Sequence, residues 1–165
     1  MTQEKLDNEL KAAASQGNLE TAQKYIDAGA RGDALGENGR SSLHYAAWNG
    51  NVPMAKLLVA SGVDVDVRDS DRQTPLHLAV WCNRPAMVGF LLGIGANPEM
   101  KGIGDRTPLD LAREHKDDAA ALFMEEWMRP ENVERRRSAA AAASVRALRA
   151  RQRKLGSLRP RGPAL

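Results

Sequence analysis

The chain has 165 residues, of which 42% are hydrophobic and only 4% are aromatic, a size that suits one domain with an extension. Its single cysteine, Cys82, excludes an internal disulfide and favours a reducing compartment. No apolar run approaches the roughly 20 residues of a membrane-spanning helix, and the polar first residues resemble neither a signal peptide nor a transit peptide. We therefore expect a cytoplasmic protein, or a nuclear one, with no membrane partner.

Charge is divided unevenly along the chain. Residues 1–128 hold 13 Lys and Arg against 19 Asp and Glu, a net charge of −6. Residues 129–165 hold 11 Lys and Arg against 2 Asp and Glu, a net charge of +9. An acidic body with a basic tail indicates two separate roles, or a tail that reaches an acidic partner.

A short motif recurs with a period of 33 residues. Thr-Pro-Leu-His occupies residues 74–77, Ser-Ser-Leu-His occupies residues 41–44, and Thr-Pro-Leu-Asp occupies residues 107–110. Other positions repeat in the same register: Leu10, Leu43, Leu76 and Leu109; Ala13, Ala46, Ala79 and Ala112; Gly29, Gly62 and Gly95. This period and this motif resemble the ankyrin repeat, and the order of the units is similar to that of small myotrophin-like chains.

The resemblance implies an all-α solenoid of about four helix-turn-helix units. The expected domains are an ankyrin-repeat body over residues 1–128 and a basic, Ala/Arg-rich helical tail over residues 129–165. The units within the body are about 1–33, 34–66, 67–99 and 100–128.

The first unit is predicted to contain helices at 4–14 and 19–28, with Gly17 ending the first of them. It lacks the Thr-Pro-Leu-His motif and is polar, as expected for the terminal unit of a solenoid, whose outer face meets water. We interpret it as the N-terminal cap.

The next two units carry clear helix signals. Ser41 is a good N-cap, Gly50 ends the first helix of its unit, and Pro53 suits the first turn of the second helix. In the third unit, Asn83 replaces the helix-ending glycine, and Asn tolerates a left-handed backbone better than most residues. Pro85 then begins the following helix.

The fourth unit departs from the pattern after its motif. Residues 119–128 are expected to be helical, and Pro130 should end or kink that helix. Residues 131–155 lack Gly and Pro, so a basic helix is predicted there. Its charge is carried by Arg135, Arg136, Arg137, Arg146, Arg149, Arg151, Arg153 and Lys154.

Catalytic and metal chemistry find little support in the sequence. By resemblance, His44 and His77 bond the backbone of neighbouring turns, and two histidines without a Cys or carboxylate cluster do not make a zinc site. Cys82 has no recognisable base. We therefore predict no enzyme activity, no catalytic residue, no metal, no cofactor and no small-molecule substrate.

Two tryptophans, Trp48 and Trp81, lie one repeat apart. In the ankyrin pattern, the residues just before the helix-ending glycine face a concave groove, where equivalent positions lie roughly 10 Å apart. Either this pair binds a partner, since Trp is enriched at binding hot spots, or loops cover the rings or they stack on each other. The resemblance assigns further residues to the groove and its rim: Asn49, Cys82, Glu114, His115, Arg40, Gln73, Arg106 and Asp71.

The leading functional hypothesis is a protein–protein adaptor or scaffold subunit whose groove holds a partner. Three interpretations of the basic tail remain: docking on an acidic surface in a multi-subunit assembly, binding nucleic acid through phosphates, or no binding role. A nucleic-acid-associated or ribonucleoprotein subunit is therefore one alternative function, and a cytoskeletal or axonemal component is another.

Overall fold

The computed structural model describes residues 2–36, 38–115 and 118–134. The chain divides after Glu125 into two units, which are described separately. The described residues contain α-helices and no β-strand. None of the described helices is both long and apolar enough to cross a membrane.

The helices predicted within residues 4–128 are all present, whereas the basic helix predicted over residues 131–155 lies outside the described residues from residue 135 onward. The helices present are α1 Gln3–Gln16, α2 Leu19–Asp27, α3 Ser42–Asn49, α4 Val52–Ala60, α5 Pro75–Trp81, α6 Pro85–Gly93, α7 Pro108–Glu114 and α8 Asp118–Met128, with a short 3-10 turn at Ile103–Asp105. The first two helices differ from their predicted bounds by no more than two residues at each end.

The motif residues begin the first helices of the second, third and fourth repeats. The backbone N–H of Ser41 donates to His44 Nδ1 at 3.1 Å, and that of Thr74 donates to His77 Nδ1 at 3.1 Å. In α7 the Asp110 carboxylate accepts the equivalent bond from Thr107 N–H at 2.9 Å. A free N–H at each helix start is thereby satisfied by a side chain three residues on.

Left-handed residues end several of these helices. Gly17 and Gly50 have φ of 75° and 71°, a region that glycine reaches without a Cβ penalty. Asn83 occupies the equivalent position in the third repeat with φ of 51°. The interpretation of Asn83 as the replacement for the helix-ending glycine is therefore confirmed.

The helices form two rows within the unit Met1–Glu125. The first row runs α1, α3, α5 and α7, the second runs α2, α4 and α6, and each helix contacts its neighbours in the row. Ala13, Ala46 and Ala79 are buried between them, and their small side chains allow close approach of the helix axes. A stack of this kind presents equivalent residues of successive repeats side by side.

In the second unit, the described residues show the break that Pro130 predicts. Helix α8 ends at Met128, Arg129 is a bend, and residues 130–134 are helical again. The Glu126 carboxylate pairs with Arg129 at 2.9 Å, and the Glu126 main-chain oxygen accepts a bond from Asn132 Nδ2 at 2.7 Å. The eight basic residues assigned to the tail, from Arg135 to Lys154, lie outside the described residues.

Candidate functional site: the tryptophan surface

Arg40 lies over the indole of Trp48. The guanidinium carbon is 5.1 Å from the ring centroid, within the range of a cation–π contact. The Arg40 Nε is also 3.6 Å from the carboxylate of Asp69, a residue of the next repeat. One flank of Trp48 is therefore covered, yet 40% of the residue remains exposed.

Trp81 has a different partner. The imidazole of His115 meets its ring edge-on, with 4.6 Å between centroids and an interplanar angle of 79°. Trp81 keeps 47% of its surface exposed. Each tryptophan thus has one flank held by a neighbouring side chain, and each retains a large accessible area. We call Trp48, Trp81, Arg40 and His115 the tryptophan surface.

Arg106 and Glu114 form a third pair, at the positions that Arg40 and Trp48 occupy two repeats earlier. Glu114 follows Trp81 by one repeat, and its carboxylate accepts a bond from Arg106 Nη1 at 2.6 Å. Arg106 itself follows Arg40 by two repeats. The two predicted rim arginines, Arg40 and Arg106, form ion pairs with Asp69 and Glu114, so the charge of each is matched within the chain.

Two further predicted groove residues, Asn49 and Cys82, directly follow the tryptophans in the sequence. Asn49 Nδ2 donates to the Ser15 carbonyl at 2.7 Å and so connects α3 to α1. Cys82 is half-buried, and burial raises the pKa of its thiol, although the charges of Arg84 and Arg40 oppose that shift. Because the thiolate is the nucleophilic form, this environment does not favour a reactive cysteine.

Asp69 is a buried residue that sequence reasoning missed. Its Oδ1 accepts bonds from the backbone N–H groups of Asp71 at 2.9 Å and Gln73 at 2.8 Å, which shape the turn before α5. The carbonyl of Gln73 in turn accepts a bond from His44 Nε2 at 3.0 Å. Asp followed by short polar residues is a turn signal, and it could have identified Asp69 in the sequence.

The two motif histidines connect adjacent repeats through hydrogen bonds. His44 and His77 each accept a bond at Nδ1 from their own helix start, and each reaches a carbonyl of the next repeat through Nε2. Because Nδ1 accepts a backbone N–H, the proton must be on Nε2. Burial lowers the pKa of both imidazoles. Within the described residues, no group of three or more His, Cys, Asp or Glu side chains is arranged to hold a metal ion.

The architecture and the comparisons identify the class of protein. Antiparallel helix pairs with a 33-residue period define a helical-repeat solenoid. A family model for ankyrin repeats in three copies matches residues 10–102, more than half of the chain. The chain therefore belongs to the ankyrin-repeat family, and α7 and α8 lie beyond the matched segment. No curated protein matches the chain.

Family membership bears on function at a coarse level. Ankyrin repeats are generally protein–protein interaction modules, and the family is typically non-enzymatic.

Proposed function

We propose that this chain is a non-enzymatic adaptor that holds a protein partner against the tryptophan surface. The basic tail then docks on an acidic surface of a larger assembly, in the cytoplasm or the nucleus. The observation that carries the proposal is the exposure of Trp48 and Trp81, at 40% and 47%, at equivalent positions of adjacent repeats.

The energetics favour these two rings as anchors. Burying a tryptophan removes a large apolar area from water, and tryptophans at the centre of interfaces commonly contribute about 2 kcal/mol or more when truncated. Arg40 and His115 hold one flank of each ring, which reduces the side-chain entropy lost on binding. A partner with apolar side chains spaced to reach both rings would gain from each.

The tail is assigned its role from charge. Its net charge of +9 contrasts with −6 for the body, so a strongly acidic protein surface would attract the tail and repel the body. Phosphate groups of nucleic acid would also attract it, with affinity that falls steeply as salt increases.

The first experiment compares proteins captured from lysate by the wild type and by Trp48→Ala/Trp81→Ala. The double variant should fold with unchanged helicity and lose the captured partner. Its matched control is Leu19→Ala/Ile94→Ala, which removes two other exposed apolar side chains and should retain the partner. Equal capture by all three proteins would refute the role of the tryptophan surface.

A second comparison separates the tail from the body. The chain cut after Met128 and the full chain are used for capture at low and high salt, with and without nuclease. Partners that survive truncation and nuclease support recognition by the body. Partners that the truncated chain no longer captures, but that the full chain still captures after nuclease treatment, support docking of the tail on protein. Partners that the full chain loses after nuclease treatment support a nucleic-acid role instead.

A further inference from the structure

Helices α4, α6 and α8 present an apolar surface to solvent. Leu57, Phe90 and Phe123 stand at equivalent positions of successive repeats, one on each of these helices, and a solenoid places such residues side by side. Leu57 and Phe90 are half-buried, whereas 44% of Phe123 is exposed. The Phe123 ring lies beside α6, since its Cζ is 3.9 Å from the point that a Cβ on Gly89 would occupy. We call Leu57, Gly89, Phe90, Leu122 and Phe123 the outer face.

Helix α6, at the centre of the outer face, has no charged or polar side chain. Its sequence is Pro-Ala-Met-Val-Gly-Phe-Leu-Leu-Gly, and a helix that is apolar all round is normally buried on every side. One side of α6 is buried in the stack, but Ala86 and Gly93 are exposed on the other. By contrast, α2 exposes Glu20 and Lys24, which form a surface ion pair. Helix α6 therefore has the composition of a helix that is covered on both sides.

Opposite charges stand at the two edges of the outer face. Leu122 on α8 is 64% exposed, the largest fraction among the bulky apolar side chains of the described residues, and such exposure marks interaction surfaces. In the repeat register it corresponds to Gly89 on α6 and Lys56 on α4. Lys56 is exposed and is the only charged residue of α4. Glu125, one turn beyond Leu122, is also exposed. The face is thus basic at its α4 edge, uncharged at α6 and acidic at its α8 edge.

We propose that the outer face binds a second copy of this chain, with the two-fold axis parallel to α6. This symmetry packs α6 against α6 of the other copy, and α4 against α8 of the other copy. Lys56 of each copy then lies over Leu122 of the other. Its methylene stem covers the leucine, and its ammonium group reaches Glu125, because side chains one turn apart on a helix are neighbours. The two surfaces match in apolar character at the centre and in charge at both edges.

Charge also disfavours the other ways of pairing two copies. A two-fold axis in the plane of the face but perpendicular to α6 would set Lys56 against Lys56 and Glu125 against Glu125, and like charges across an interface repel each other. A head-to-tail arrangement would cover the apolar α8 with the first repeat, whose α2 exposes the ion pair of Glu20 and Lys24. Covering that pair with apolar side chains costs desolvation energy, and repeated head-to-tail contacts do not close.

The size of the outer face determines the expected affinity. Helices α4 and α6 have nine residues each, which makes each about 14 Å long, and three adjacent helices are about 30 Å wide. Such a face is at the small end of specific interfaces, so we expect a dissociation constant of about 10–100 µM. At the submicromolar concentrations of capture from lysate the chain is then monomeric. This dimer and the tryptophan surface can therefore fail independently.

Sedimentation velocity of the purified full chain measures the association. We expect a reversible change from monomer to dimer between about 1 µM and 1 mM, at about 0.15 M and also at about 0.5 M salt. Persistence at the higher salt concentration distinguishes burial of apolar side chains from attraction between a basic tail and an acidic body, which salt screens. A chain that stays monomeric at every concentration would overturn the proposal.

A charge exchange tests the symmetry of the dimer. Leu122→Lys places a second cation against Lys56 of the other copy, and Lys56→Glu places a second carboxylate near Glu125 of the other copy. Each should weaken the dimer by about tenfold or more. The double variant Lys56→Glu/Leu122→Lys sets a carboxylate against an ammonium group across the interface and should recover most of the affinity at low salt. Within one copy the two positions are separated by α6, so the exchange restores affinity only through the second copy.

Two variants elsewhere provide the matched controls. Lys24→Glu makes the same charge change on α2, and Leu35→Lys replaces an exposed leucine outside the outer face. Both should dimerise as the wild type does, and circular dichroism melting checks that every variant is folded. The proposal is overturned if neither single variant weakens the dimer, if the controls weaken it equally, or if the double variant associates no better than the single variants.

Discussion

Replacing His77 tests how the repeats are held together. His77 is 1% exposed. Its Nδ1 accepts bonds from Thr74 N–H at 3.1 Å and from the Thr74 hydroxyl at 2.9 Å, and its Nε2 donates to the Arg106 carbonyl at 3.1 Å. We compare His77→Ala, which removes all three bonds, with His77→Asn, which keeps an acceptor close to Thr74 but cannot reach the next repeat.

The expected loss of unfolding free energy depends on which backbone groups lose their only hydrogen-bond partner in each variant. The Arg106 carbonyl still accepts a bond from Gly102 N–H at 2.8 Å, so losing the imidazole costs only one ordinary bond there, about 1 kcal/mol. Thr74 is fully buried, and stranding its N–H adds about 1–3 kcal/mol. We therefore expect His77→Ala to lower the free energy of unfolding by about 2–4 kcal/mol and His77→Asn by about 1 kcal/mol.

The same histidine makes this difference depend on pH. Burial lowers the pKa of His77 below its ordinary value of 6.5, so just below pH 6.5 the unfolded chain binds a proton that the folded chain does not. The stabilisation by His77 is complete above pH 6.5. It falls by up to about 1.4 kcal/mol per pH unit as the pH drops towards the folded pKa. His77→Asn does not titrate, so its deficit relative to the wild type should shrink over this range.

Urea unfolding followed by circular dichroism from pH 8 to pH 5 measures both effects. The reasoning fails if His77→Asn is as destabilised as His77→Ala at pH 8, because acceptance by Nδ1 would then be unimportant. It also fails if the difference between the wild type and His77→Asn stays constant across the pH range.

Three further substitutions test local features, each by its urea midpoint. Ser42 Oγ is buried without a hydrogen-bond partner among the described residues, so Ser42→Ala should raise the free energy of unfolding by about 1 kcal/mol; a loss of stability would show that the hydroxyl is satisfied. Asn83→Gly should add about 0.5–1 kcal/mol because φ is 51° there, and an unchanged midpoint would contradict that strain. Gly50→Ala should cost more than about 1 kcal/mol, because φ is 71° and a Cβ would lie 2.8 Å from Arg84 Cδ; a neutral result would refute the steric argument.

The sequence was sufficient for the features that depend on local signals. Thr74 at a helix start and Asn83 at a helix end are recognisable because capping and left-handed backbone restrict the residue type over a few positions. The 33-residue period then placed Trp48 and Trp81 at equivalent positions, and both are exposed in the structure.

The features that sequence reasoning missed depend on side-chain contacts within and between repeats. Arg40 over Trp48 joins residues eight positions apart, and His115 beside Trp81 joins residues 34 positions apart. No period predicts which rotamers bring such side chains together.

The central claim is that a protein partner lies on the tryptophan surface, and photo-crosslinking tests it most directly. Benzoylphenylalanine, an aromatic photoreactive residue, replaces Trp48, Trp81 or, as a control, Lys56, which is exposed on α4. After irradiation in lysate, the account predicts one and the same covalent partner at positions 48 and 81 and none at position 56. A partner crosslinked at position 56 but at neither tryptophan position would contradict it.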